Sequence, residues 1–295
     1  MSTANGGYYL PQPSHWPLVG SIGMFIMLGG FANALPTHND GQMGSLIPMY
    51  VGMAIIIYML FGWFGTVIKE SESGLYDAQV DRSFRMGMLW FIFSEVMFFA
   101  AFFGALYYAR MYSIPWIGGA DNNAATQAFL WPEFTATWPL INMPDASAFD
   151  VPKEVIGAWG VPALNTGILL LSGVTVTFAH WALKKGNRSG LIMWLFATVA
   201  LGFIFVGFQA WEYGHAYNDL NLKMTSGIYG STFFMLTGFH GFHVTMGAII
   251  LTVVMFRSMK GHFTAEHHFA FEGAAWYWHF VDVVWLGLFI FVYWI

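Results

Sequence analysis

A chain of 295 residues in which 57% are apolar and only 9% are Asp, Glu, Lys or Arg is no ordinary soluble domain, where about a quarter of residues are charged. The net charge of −5 and the lack of a basic stripe give no footprint for nucleic acid. Cysteine is absent, which excludes disulfides, thiolate metal sites, cysteine nucleophiles and c-type haem attachment.

Seven apolar runs reach the roughly 20 residues that a membrane-spanning helix needs. In chain order they are Trp16–Leu35, Pro48–Ile68, Met86–Tyr108, Trp159–Leu183, Leu191–Trp211, Ile228–Phe256 and Gly273–Trp294. Runs this long exclude the short alternating strands of an outer-membrane barrel. The predicted fold is all-α and polytopic, with seven transmembrane helices. The polar gap between the second and third runs divides it into an N-terminal segment 1–15, a two-helix unit 16–68, an inner loop 69–85 and a five-helix unit 86–295. No Lys or Arg precedes Lys69, so the N-terminus lacks the basic start of an ordinary signal peptide.

Eight of the 11 basic residues follow spans 2, 4 and 6: Lys69, Arg82, Arg85, Lys184, Lys185, Arg188, Arg257 and Lys260. Positive residues mark the inner side, so both this rule and the span count put the N-terminus inside and the C-terminus outside. Trp16, Trp63, Trp159, Trp181, Trp211, Trp276, Trp278 and Trp294 fall near predicted interfaces. Gly23, Gly29 and Gly30 in span 1, and Gly238, Gly241 and Gly247 in span 6, are read as close helix contacts. The long outer loop 111–158, with its prolines and tryptophans, is read as a packed cap.

Ionisable residues inside the spans are rare and costly, and each is a functional candidate. Glu95 sits mid-span in FIFSEVMFFAAFF and is the candidate buried proton-binding carboxyl. Glu272, His279 and Asp282 recur at spacings of 7 and 3 along one stripe of span 7. They read as a polar seam, with proton handling or cofactor ligation as the alternative. His240 and His243 sit one helical turn apart in TGFHGFHVT, and His180 lies at the inner end of span 4. Interhelical hydrogen bonding is the plainer reading of all three. Lys69 and Glu70 end span 2, and Glu212 ends span 5. They are candidates for interfacial anchoring or lipid headgroups. The inner loop 259–268, with His262, Glu266, His267 and His268, is read as solvated, with weak metal binding as the alternative. No catalytic residue and no metal site is assigned. No phosphate loop, nucleophile elbow or dinucleotide fingerprint is present.

Long strings of this chain resemble subunit III of the haem–copper cytochrome c oxidases. They are SHWPLVGS at 14–21, RMGMLWFIFSEVMFFAAFF at 85–103, PALNTGILLLSGVTVTFAHWAL at 162–183, FQAWEY at 208–213, YGSTFFMLTGFHGFHVTMG at 229–247 and FEGAAWYWHFVDVVWL at 271–286. The resemblance implies two bundles, helices 1–2 and helices 3–7, with phospholipids in a V-shaped cleft. It implies an accessory, non-redox subunit of a proton-pumping oxidase that reduces oxygen to water. Haem and copper would lie in partner subunits, chiefly subunit I, with subunit II and smaller subunits in the complex and cytochrome c as donor. The subunit would stabilise subunit I and support proton uptake, and its cleft is a proposed oxygen entry route. Glu95 matches the family's intramembrane glutamate. Lys69, Glu70 and Glu212 match cleft-lipid positions, with Lys69 standing where some relatives carry arginine. The long loop 111–158 suggests a bacterial enzyme in the inner (plasma) membrane, with a cytoplasmic N-terminus and a periplasmic C-terminus, over a mitochondrial one. A related quinol-oxidase subunit, a haem-binding membrane cytochrome and a stand-alone proton-coupled transporter are the alternatives.

Overall fold

The computed structural model describes residues 9–36 and 42–295. Among these, seven helices are long and apolar enough to cross a membrane. They form two compact units, one ending at Phe84 and the other Arg85–Ile295.

The first unit is built on α1 (Trp16–Ala34) and α2 (Ile47–Glu72), which pack closely along their length. A proline near the start of each fits the first helical turn, where an N–H has no intrahelical partner. Their large side chains, such as Phe25, Phe61 and Phe64, are exposed in the isolated chain and suited to lipid. Glycines hold the contact between the pair. Beyond α2, the Tyr76 hydroxyl donates to Glu70 Oε2 at 2.8 Å.

The second unit carries most of helix α3 (Ala78–Tyr108), whose run continues through a π-helical turn (Ala109–Ser113) and α4 (Ile114–Ile117). After α5 (Ala124–Leu130) come α6 (Val161–Lys184), α7 (Arg188–Asn218), α8 (Gly227–Lys260) and α9 (Phe269–Leu288). A π-helical segment (Phe289–Trp294) extends α9. Neighbours pack in the order α6–α7, α7–α8, α8–α9, and α9 closes back on α6. Gly261 ends α8 with φ 78°, a left-handed conformation that residues with a Cβ seldom adopt. The core lies among these four helices, around Trp278, Trp285, Phe205, Phe233 and Phe271. Indole and hydroxyl pairs cross it: Trp278 Nε1 donates to Ser172 Oγ at 2.8 Å and Trp285 Nε1 to Thr166 Oγ1 at 2.9 Å.

The loop 111–158 packs as a cap on this unit. Phe134, Leu140, Met143 and Ile156 are buried. Trp138 stacks edge-on to Tyr229, with Arg110 over its ring. The backbone N–H of Lys153 donates to the Leu220 carbonyl at 2.8 Å, and the Thr225 hydroxyl donates to Asp150. That hydroxyl and the nearby Lys223 ammonium hold the Asp150 carboxyl below its ordinary range.

Candidate functional site

Glu95 meets His243 across α3 and α8, with Glu95 Oε2 and His243 Nε2 2.8 Å apart. His243 Nδ1 lies 2.6 Å from the Phe239 carbonyl, which can only accept. Nδ1 therefore carries a proton. In a neutral ring Nε2 would then be an acceptor facing a carboxylate, and two acceptors do not bond. The short contact requires one further proton, held as a carboxylic acid on Glu95 or as an imidazolium on His243. Phe98 and Phe99 pack on the imidazole, with Phe99 5.1 Å away, and Phe102 and Phe239 pack on Phe98 behind it. The Glu95 side chain is 21% exposed in this chain and His243 is 9% exposed. Glu95, expected to be buried, is thus only partly covered in this chain.

His240, one turn before His243, points elsewhere. Its Nε2 lies 3.2 Å from the Val281 carbonyl of α9, and its ring packs on Trp285 and Phe205. It is fully buried and ties α8 to α9.

The polar stripe of α9 faces α6. His279 Nδ1 lies 3.6 Å from Asp282 Oδ2, and its Nε2 lies 3.5 Å from Thr177 Oγ1. Asp282 sits over Gly173, where a Cβ would lie 2.4 Å from Oδ2. At the inner end of the same stripe, Glu272 Oε1 lies 3.3 Å from His268 Nε2 and 3.5 Å from His180 Nε2. Arg85 of α3 pairs with Glu272 Oε2. His268, which the sequence puts in a solvated loop, is buried and belongs to this cluster. The signal in the sequence was the i,i+4 spacing of His268 and Glu272 at a helix start. Arg85 as the partner of Glu272 had no local signal, since the two lie far apart in the chain.

Glu212, expected at a lipid contact, lies inside the unit and is 1% exposed. The hydroxyl of Tyr293 donates to its Oε1 at 2.6 Å and the Gln209 amide donates to the same atom at 3.1 Å. The apolar run ends at Trp211, but α7 continues to Asn218 and keeps Glu212 inside the unit. Glu212→Gln keeps an acceptor for both donors and is expected to change stability by less than about 1 kcal/mol. Glu212→Leu strands both buried donors, and a loss of about 1–3 kcal/mol is expected. The apparent melting temperature of each variant distinguishes them.

The chain matches the family model for cytochrome c oxidase subunit III over residues 6–295. The chain belongs to the cytochrome c oxidase subunit III family. Among its relatives, cytochrome c oxidase subunit 3 of Dugong dugon is 40% identical over 295 residues, covering 100% of this chain and 99% of that protein. The protein of the same name from Squalus acanthias is 41% identical over 288 residues, covering 97% and 96%. A cytochrome c oxidase subunit III is an integral membrane component of a respiratory oxidase complex, and this chain's seven apolar helices agree with that. The oxidase activity is that of the whole complex.

Proposed function

We propose that this subunit III serves its oxidase without carrying its redox centre. It would brace subunit I, hold phospholipids, assist proton uptake and share in oxygen access. Haem and copper would sit in the partner subunits, with subunit II and smaller subunits completing a proton-pumping complex fed by cytochrome c. The observation that carries the reading is the Glu95–His243 pair, 2.8 Å apart beside a phenylalanine cluster, a contact that needs a proton on one of the two. A group that stores and returns a proton at membrane depth suits a subunit that conditions proton traffic. Lys69 and Glu70 lie at the end of α2, where a cation beside the headgroups attracts lipid phosphate. Glu70 is at the same time bonded by Tyr76, so Lys69 is the stronger lipid candidate.

Eight basic residues flanking the ends of spans 2, 4 and 6 support a cytoplasmic N-terminus and a periplasmic C-terminus. The loop 111–158 supports a bacterial inner membrane.

The test is Glu95→Gln in the assembled complex. Glutamine keeps a hydrogen bond to His243 Nε2 but cannot hold the mobile proton. The haem absorption spectrum is expected to be unchanged while turnover falls modestly, by less than about tenfold. Loss of the haem–copper signal would contradict the accessory role. Turnover equal to the parent at every pH would remove Glu95 from proton traffic.

A further inference from the structure

His180, His268 and Glu272 present three ligand atoms to one point. The distances are 3.4 Å between His180 Nε2 and His268 Nε2, 3.5 Å from His180 Nε2 to Glu272 Oε1, and 3.3 Å from His268 Nε2 to the same oxygen. A tetrahedral zinc ion with bonds of 2.0–2.1 Å sets its ligands about 3.3 Å apart, which is the edge of this triangle.

Each ligand is also held from behind. The Thr264 carbonyl lies 3.0 Å from His268 Nδ1 and fixes the proton there, leaving Nε2 as a lone pair aimed inward. Carbonyl orientation of the distal ring nitrogen is the usual outer-shell device of a metal-bound histidine. Arg85 takes Glu272 Oε2, so Oε1 is turned toward the histidines. Phe271 packs on the His180 ring at 5.4 Å.

With His268 Nδ1 donating, Nε2 of a neutral ring and Oε1 of an ionised Glu272 are both acceptors. A donor facing both is needed, and the point His180 Nε2 occupies, 3.4 and 3.5 Å from them, admits either its own N–H or a metal cation shared by all three. We propose that His180, His268 and Glu272 form a binding site for a divalent transition-metal ion of the zinc class at the inner end of α6 and α9. Two imidazoles and one carboxylate suit zinc over calcium or magnesium, which prefer all-oxygen shells. Three protein ligands leave a fourth position for water. The positive charge of Arg85, and of Lys184 beside His180, opposes the ion. The site is therefore reversible and strippable by chelator, unlike a closed structural zinc centre. Binding needs the lone pair of His180 Nε2, so any proton there leaves to solvent or is replaced by one on Nδ1, and no other bond changes.

The test uses the assembled oxidase, stripped with a chelator and titrated with Zn²⁺ alone. Zinc content is read by mass spectrometry. The parent complex is expected to take up one more zinc than the His180→Gln and Glu272→Gln complexes. Equal uptake by parent and variants overturns the proposal. Should a variant fail to assemble, anomalous scattering at the zinc edge from the parent complex decides alone. A peak among the three side chains supports the site, and its absence after zinc loading overturns it.

Discussion

Trp278→Ala is expected to be among the most destabilising substitutions in the chain. The ring is fully buried where α6, α7, α8 and α9 converge. Its edge fills the space over two glycines: a Cβ at Gly202 would lie 2.7 Å from the ring, and one at Gly247 2.8 Å. The indole N–H spends its one donor on Ser172. In water-soluble cores a Trp→Ala change costs about 3–5 kcal/mol. Inside a bilayer the transfer part of that cost shrinks, because lipid is as apolar as the core. The cavity and lost dispersion contacts remain. The hydrogen bond adds about 0.6 kcal/mol, typical of such bonds between membrane helices. We expect a loss of roughly 3 kcal/mol, measured as a lower temperature for unfolding of the subunit in the purified complex. Trp181→Ala, at a 55% exposed indole, is the matched control and is expected to change little. Equal effects of the two would show that Trp278 is not the packing centre.

The seven helices were legible because hydrocarbon thickness selects apolar runs of about 20 residues. Their ends were less so. Helix α8 has 34 residues, about 51 Å at 1.5 Å each, against roughly 30 Å of hydrocarbon. Hydropathy registers only the part in lipid, whereas the backbone hydrogen-bond ladder continues through the headgroups. Helix α7 likewise runs past its apolar stretch to Asn218, and Glu212 lies on that continuation.

Candidate residues were legible by rarity, but their partners were not. Glu95 stood out as an acid in an apolar run, while His243 lies 148 residues away. His240 and His243 are three residues apart, so they point about 60° away from one another on a helix with 100° per residue. That difference sends His240 to α9 and His243 to α3. The spacing of 7 and 3 placed Glu272, His279 and Asp282 on one stripe, yet gave no indication that α6 would lie opposite. Glycine content carried the same ambiguity. Gly23, Gly30 and Gly247 meet a neighbour, while a Cβ at Gly29 or Gly241 would find nothing within 4 Å. Adjacent residues such as Gly29 and Gly30 point about 100° apart, so only one of them faces α2.

Gly52→Ala is expected to force α1 and α2 apart. A Cβ at Gly52 would lie 2.3 Å from Met27 N, 2.6 Å from Met27 Cα and 2.7 Å from the Gly23 carbonyl oxygen. These are backbone atoms, which cannot move aside by a rotamer change. The facing glycine Gly30 repeats the contact, its Cβ lying 2.4 Å from Met49 N. Van der Waals carbon contacts settle near 3.5–4.0 Å, so the helix axes must separate by about 1 Å or more. Two helices in lipid gain little from the hydrophobic effect and depend on such close packing. The expected loss is about 1–3 kcal/mol, the usual cost of overpacking, and larger if the pair cannot re-form along another face. Gly65→Ala is the control in the same helix, since a Cβ there meets open space. It is expected to be neutral or to stabilise α2 by up to about 1 kcal/mol, the difference in helix propensity. The measurement is the unfolding temperature of the subunit in the purified complex. A Gly52→Ala complex that melts with the Gly65→Ala complex would mean that α1 and α2 are not in backbone contact.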